Sequence, residues 1–238
     1  MEMAERPLDS LLQGMKKYLL QRKEEGEKDV YLSPERRGSL ERVLGRAHGV
    51  RTLHDLAGKV INCHRCPLAD ERLNVVFGEG SEKADIVFVG EAPGADEDEQ
   101  GRPFVGRAGQ LLTRMVRKMG YAREDVYIAN ILKCRPPGNR DPLPEEVQCC
   151  FPHLAMQVEI IKPKVIVALG KHAAHTLLDV KTPITKLRGK WGNFRGIPVM
   201  PTFHPSYLLR APNKSWDVWE DMQKVLEVVR QGRKKDGK

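Results

Sequence analysis

The run Asp85-Ile86-Val87-Phe88-Val89-Gly90, continued by Glu91-Ala92-Pro93-Gly94, decides how the rest of the chain is read. Four apolar residues in a row, with no polar alternation, suit a strand covered on both faces, as in a parallel sheet. The glycines that follow end it. Three similar runs come later: Val126–Leu132, Lys164–Gly170 and Ile197–Thr202. Helical patterns separate them, roughly Gly109–Met119, Pro144–Ile161 and His172–Leu178, and Trp216–Val229 closes the series. Pro144 with Glu145 and Glu146 suits the positive end of a helix. Strands alternating with helices predict an α/β fold with three layers, α/β/α, around a central four-stranded parallel sheet. Ligands of such sheets bind beyond the carboxyl ends of the strands, so the site is sought there.

Outside this pattern the chain reads differently. Residues 1–50 hold ten Lys/Arg against nine Asp/Glu. Leu11, Leu12, Met15, Tyr18 and Leu19 predict an amphipathic helix over roughly Leu8–Glu25, and Ser33-Pro34-Glu35 resembles a helix start. Residues 1–50 are therefore taken as a helical extension, 51–230 as the main domain and 231–238 as a basic tail. A further helix, roughly Thr52–Asn62, leads into Cys63. Hydrophobic residues make up 40% of the 238, enough for a core and against global disorder. The longest apolar runs, such as Val165–Leu169, fall short of the ~20 residues a membrane span needs. No basic segment followed by an apolar stretch opens the sequence, so a cytoplasmic protein is expected rather than a secreted precursor. The formal charge of +8 suggests a polyanionic partner without identifying it.

The predicted strand ends carry a set of chemically informative segments. After the first lie Gly90-Glu91-Ala92-Pro93-Gly94, the acidic run Asp96-Glu97-Asp98-Glu99, and Gly101-Arg102-Pro103-Phe104-Val105-Gly106. The second holds Asn130 and leads to Cys134-Arg135-Pro136-Pro137-Gly138-Asn139-Arg140; the fourth leads to His204-Pro205-Ser206-Tyr207-Leu208-Leu209-Arg210. Each piece alone has a structural explanation, since Gly-rich loops often serve only a tight turn. Together, in this order and spacing, they and the cysteines resemble the family 4 uracil-DNA glycosylases over roughly residues 55–230.

That resemblance implies a uracil-DNA glycosylase-like fold and a monofunctional enzyme of base excision repair. It would flip uracil out of DNA and hydrolyse its N-glycosidic bond. By the resemblance, Phe104 stacks on the base beside Gly90, Asn130 reads its Watson–Crick edge, and His204 donates to uracil O2. Glu91 activates water or stabilises the sugar cation, and Glu97 stands where a side chain meets C5. Leu208 matches the wedge that fills the vacated stack, with Ser206 and Arg210 as DNA contacts. Bond cleavage builds positive charge on the sugar and negative charge on the base, which explains a carboxylate and a donor at one site. The implied partner is uracil-containing DNA, single- or double-stranded, bound by a monomer. Residues 1–50 either pack as helices or recruit a replication or repair partner.

Cys63-x-x-Cys66, Cys134, Cys149 and Cys150 form an odd set for disulfides but a good one for metal. Spacing alone leaves zinc and a [4Fe–4S] cluster open. The resemblance implies the cluster, held by Cys63, Cys66, Cys134 and Cys150, with Cys149 a bystander because helical neighbours point about 100° apart. The remaining histidines, His153 and His172 among them, are read as structural. Two other functions are weighed. A relative that becomes covalently trapped on uracil-DNA uses a His-bearing insertion that Asn130–Cys150 lacks. A non-catalytic Fe–S nucleic-acid-binding module would not need Glu91, Phe104, Asn130 and His204 together.

Overall fold

The computed structural model describes Gln21 and residues 50–236, with side chains through residue 232, all but Gln21 within the compact unit Gly45–Lys238. The helix read over Leu8–Glu25 and the start at Ser33 thus lie, Gln21 apart, outside the described residues. In chain order the elements are α1 (Leu53–Val60), α2 (Leu68–Glu71), β1 (Glu79–Gly80), β2 (Ile86–Gly90), α3 (Ala95–Gln100), α4 (Arg107–Lys118) and β3 (Tyr127–Asn130). There follow α5 (Pro144–Ile161), β4 (Val165–Leu169), α6 (Lys171–Leu178), α7 (Ile184–Leu187), β5 (Gly192–Phe194), β6 (Ile197–Thr202), α8 (Pro205–Arg210) and α9 (Ser215–Asp236).

The strands form one sheet in the order β1-β3-β2-β4-β6-β5. The four predicted strands are its parallel centre, with Val87 opposite Tyr127 and Ile166, and Val167 opposite Met200. Every residue of β2, β3 and β4 is buried. Alternate residues feed two cores: Val87, Val89, Ile166 and Ala168 pack with Leu154, Val158 and Ala174 on one face. Ile86, Phe88, Val167 and Leu169 pack with Leu112, Val116, Met222 and Val225 on the other. That is the expected three-layer arrangement.

Around that four-stranded parallel centre the whole sheet has six strands. The two additions are short antiparallel edges, β1 on β3 and β5 on β6. Neither has the apolar run by which the central strands were found, because an edge of two or three residues needs little burial. β5 and β6 are joined by Arg195-Gly196, both at positive φ, the geometry of a tight two-residue hairpin. A second difference is that α9 runs through Asp236, taking most of the basic tail into a helix. Within the acidic run, α3 forms. Asp98 is buried there and accepts from the Leu73 and Asn74 N–H groups, at 3.1 and 3.3 Å. That acid is a brace.

Candidate active site and cysteine site

The carboxyl ends of β2, β3 and β6 deliver Glu91, Asn130 and His204 to one cavity of about 250 Å³, which Phe104, Glu97, Asn139 and Ser206 also line. Its floor is made by omission. A Cβ on Gly90 would lie 2.4 Å from Asn130 Oδ1 and 2.5 Å from Phe104 Cζ, so glycine alone leaves room for both. Phe104 holds a left-handed backbone, φ 52°, which costs energy for a non-glycine residue. It is fixed from below by Gly109, whose Cβ would sit 1.8 Å from the Phe104 carbonyl oxygen. The Glu97 carboxylate holds the same loop, accepting from the N–H groups of Gly94, Val105 and Gly106 at 2.9–3.1 Å. Phe104 and His204 face each other across the cavity, ring centroids 5.6 Å apart.

Two polar groups define what the cavity accepts. Asn130 is 1% exposed, and its Oδ1 is buried with no hydrogen-bond partner. Such an atom is expensive unless a ligand supplies a donor. His204 caps α8 at its N-terminus, and its Nδ1 accepts the Ser206 N–H at 3.1 Å, with Ser206 Oγ 2.8 Å away. The neutral ring therefore carries its proton on Nε2, the atom left to donate. Burial, with help from the Arg210 charge, pushes His204 down to about 4, so the ring stays neutral at physiological pH.

Glu91 has a different setting. Burial first, and then the Asp141 charge, pushes its carboxyl up to about 7, while Lys171 works the other way. His172 Nε2 lies 3.0 Å from Asp141 Oδ2 and 3.7 Å from Glu91 Oε2. Lys171 Nζ is 3.1 Å from the same Asp141 oxygen. His172, read from sequence as structural, thus stands beside the site carboxylate. A larger opening of about 430 Å³ adjoins the first, sharing Glu91, His204 and Ser206 and adding Lys171, Tyr207 and Arg210.

One expectation needs correction. Leu208 is 5% exposed and packs in the core beside Leu112 and Val116. It sits four residues into a helix whose inner face it occupies, so it offers no wedge. Leu209, 38% exposed, and Tyr207, 37% exposed, are the large apolar side chains that α8 presents outward.

All five cysteines line a second, smaller cavity behind the sheet end. Cys134 and Cys150 are buried, Cys63, Cys66 and Cys149 half-buried. Burial pushes the Cys66 and Cys134 thiols up, and Cys150 up to about 12. Left as thiols they are neutral; a metal would displace their protons. The surroundings suit the charged form. Arg72 Nη1 donates to Cys134 Sγ at 3.3 Å, the Lys133 N–H donates to Cys150 Sγ at 3.2 Å, and His153 Nε2 lies 3.6 Å from Cys63 Sγ. Lys133 is itself fully buried; burial pushes its ammonium down to about 8, and the Cys150 and Cys134 sulfurs oppose that. Four thiols ringed by N–H donors and cations fit a thiolate-held metal centre. Sequence reading missed Arg72 and Lys133, although a lysine inside the apolar stretch Ile131-Leu132-Lys133-Cys134 was a signal.

Residues 77–226 match the family described as the Uracil DNA glycosylase superfamily. A type-4 uracil-DNA glycosylase from Thermotoga maritima is 52% identical over 180 residues, covering 72% of this chain and 92% of that protein. Another from Archaeoglobus fulgidus is 46% identical over 189 residues, 75% of this chain and 94% of its own length. A third, from Sulfurisphaera tokodaii, is 45% identical over 187 residues, covering 75% and 85%.

Proposed function

The chain belongs to the uracil-DNA glycosylase superfamily, and from that premise we propose how its own residues carry out uracil excision. It is a DNA glycosylase that removes uracil, a step of DNA repair. The substrate base leaves the helical stack at a cost of roughly a few kcal/mol. It then enters the cavity against the Phe104 ring, near its matching Gly90 floor. Asn130 Oδ1 accepts uracil N3–H and the amide nitrogen donates to O4. Cytosine presents the reverse pattern at these two positions and is refused. The His204 Nε2–H donates to O2 and stabilises the negative charge that builds on the departing base. Because the ring is held neutral, it supplies a hydrogen bond without surrendering a proton. Glu91 faces the sugar, where its carboxylate orients water or offsets the developing cation.

Glu97 has both oxygens committed to backbone N–H groups, and its contribution to excluding a C5 methyl comes through the loop it braces. Arg210 and Ser206, on the adjoining opening, stand where phosphates would pass. We assign Cys63, Cys66, Cys134 and Cys150 to a [4Fe–4S] cluster, whose contribution is structural: it ties the segment before α2 to the loop after β3 and to α5.

The observation that carries this reading is the buried, unpartnered Asn130 Oδ1 opposite a neutral, donating His204 in one cavity. The test is release of free uracil from single-stranded, U·G and U·A oligonucleotides, leaving an abasic site and no nick. Release by the wild-type chain but not by Asn130→Ala is the expected result; equal release by both overturns the assignment.

A further inference from the structure

Lys133 is a feature of the site that this mechanism leaves unused. Its side chain is 1% exposed, and among the described residues no carboxylate pairs with it. A buried ammonium without a counter-charge is costly, so its placement calls for an explanation. Its Nζ donates to the main-chain carbonyl of Asn130 at 2.9 Å and to Gln157 Oε1 at 2.6 Å. Gln157 is fully buried in its turn, donating to the Phe77 carbonyl and the Tyr127 hydroxyl, both at 2.9 Å. At the other end, the Lys133 N–H holds Cys150 Sγ and its carbonyl accepts the Val76 N–H at 2.8 Å.

We propose that Lys133 is a positioning residue for Asn130: its ammonium clasps the Asn130 carbonyl, and its peptide N–H ties the same segment to the cysteine site. The need for such a clasp follows from the cavity. Asn130 Oδ1 has no hydrogen bond of its own, so that end of the base-reading amide is aimed by its backbone and by packing on Gly90. Asn130 also ends β3; beyond it the chain is held by Ile131 N–H to the Gly90 carbonyl and Leu132 N–H to the Glu91 carbonyl, both at 3.0 Å. The carbonyl of Asn130 itself is held by Lys133. The Asn130 carbonyl and the cysteine site are thereby held by one residue, the first by its side chain and the second by its peptide N–H. This inference rests on the glycosylase reading above.

The test uses metal-loaded protein: wild type, Lys133→Met, Asn130→Ala and the double variant, each measured for metal content and for kcat of uracil release. Lys133→Met is expected to keep its metal and to lose roughly ten- to a hundredfold in kcat, as a misplaced reacting contact would. In the Asn130→Ala background the same change should cost less than about threefold, since a residue acting through Asn130 has nothing left to position. Full metal content with wild-type kcat, or losses that multiply, would overturn the proposal. Where Lys133→Met fails to fold or to hold metal, Gln157→Met decides the question. Removing the second acceptor should lower kcat and again add little to Asn130→Ala, whereas wild-type kcat sinks the idea. A wild-type chain that releases no uracil removes the glycosylase reading and this inference with it; a wild-type chain that does, beside an equally active Lys133→Met, removes only the inference.

Discussion

The base cavity and the cysteine site lie a few residues apart along the loop after β3, and both bury polar atoms, yet they are unfinished in opposite ways. In the cavity the missing element is a hydrogen-bond partner: Asn130 Oδ1 has none, and His204 is kept neutral with its Nε2–H to give. In the cysteine site Cys134 receives an N–H from Arg72 and Cys150 one from the Lys133 peptide, with His153 Nε2 3.6 Å from Cys63, a shell that favours negative charge on sulfur. One suits a neutral ligand with an alternating donor and acceptor edge that comes and goes. The other suits a resident centre of net negative charge. Removing a polar group from the first should therefore cost activity, and from the second stability.

The largest expected effect tests the first half of that contrast. His204→Ala or Asn130→Ala should lower uracil release by on the order of 10²–10³ or more, the usual loss for a preorganised donor. Thermal melting should be unchanged or raised for Asn130→Ala, because an unsatisfied buried atom goes with it. A melting temperature that falls in parallel with activity would mean that Asn130 is structural and the contrast false. Gly90→Ala is the next largest. One methyl, placed 2.4 Å from Asn130 Oδ1 and 2.5 Å from Phe104 Cζ, should cost about 10²-fold in rate with the fold intact by circular dichroism.

The cysteine side predicts the reverse ranking. Cys134→Ser or Cys150→Ser should empty the site and bleach the brown colour expected of a cluster. For a ligand held a thousandfold above its dissociation constant, the lost stabilisation is about 4 kcal/mol. In a chain of this size that is roughly 10 °C in Tm. Activity measured well below the new Tm should fall less than in Asn130→Ala. Cys149→Ser should retain both colour and Tm, and its bleaching would break the choice of Cys150 as the fourth ligand.

What the sequence disclosed follows the same division. The buried strands were legible because residues such as Ile86–Val89 must be apolar on both faces, and the strand-end residues because their chemistry needs particular side chains in order. Edge strands carried no such signature: Glu79-Gly80 and Gly192–Phe194 could be loop in any other context. Leu208 and Leu209 could not be told apart, since which of two adjacent leucines faces the core depends on how α8 docks against α4. Within the acidic run, Glu97 is spent on N–H groups of its own loop and Asp98 on those of Leu73 and Asn74, some twenty-five residues earlier, which spacing alone does not show. Arg72 escaped notice and His172 was read as structural because their meaning lies in what folding brings beside them, whereas Lys133 left a trace as a charge inside an apolar stretch.

The smallest predicted effect probes Glu91, which stands between the two kinds of site: like the cysteines it is an acid whose ionisation burial opposes, but it lines the base cavity. Its carboxyl is pushed up to about 7 by burial and by Asp141, with Lys171 opposing and His172 in contact. If the ionised form acts, uracil release declines as pH falls through about 7, well above the range near 4 where His204 takes its proton. Asp141→Asn removes a negative neighbour, so Glu91 ionises more easily and the acid limb moves to lower pH. A surface-edge pair of this kind interacts by about 1 kcal/mol, or roughly 0.7 pH unit. Stability carries an independent sign. A carboxyl raised from 4.5 to about 7 on folding makes the native state bind the extra proton, so Glu91 costs stability as pH rises across that window. Asp141→Asn should flatten this contribution while moving the activity limb downward. A limb that stays fixed in Asp141→Asn but vanishes in Glu91→Gln would leave Glu91 as the titrating group and burial alone as the cause of its shift.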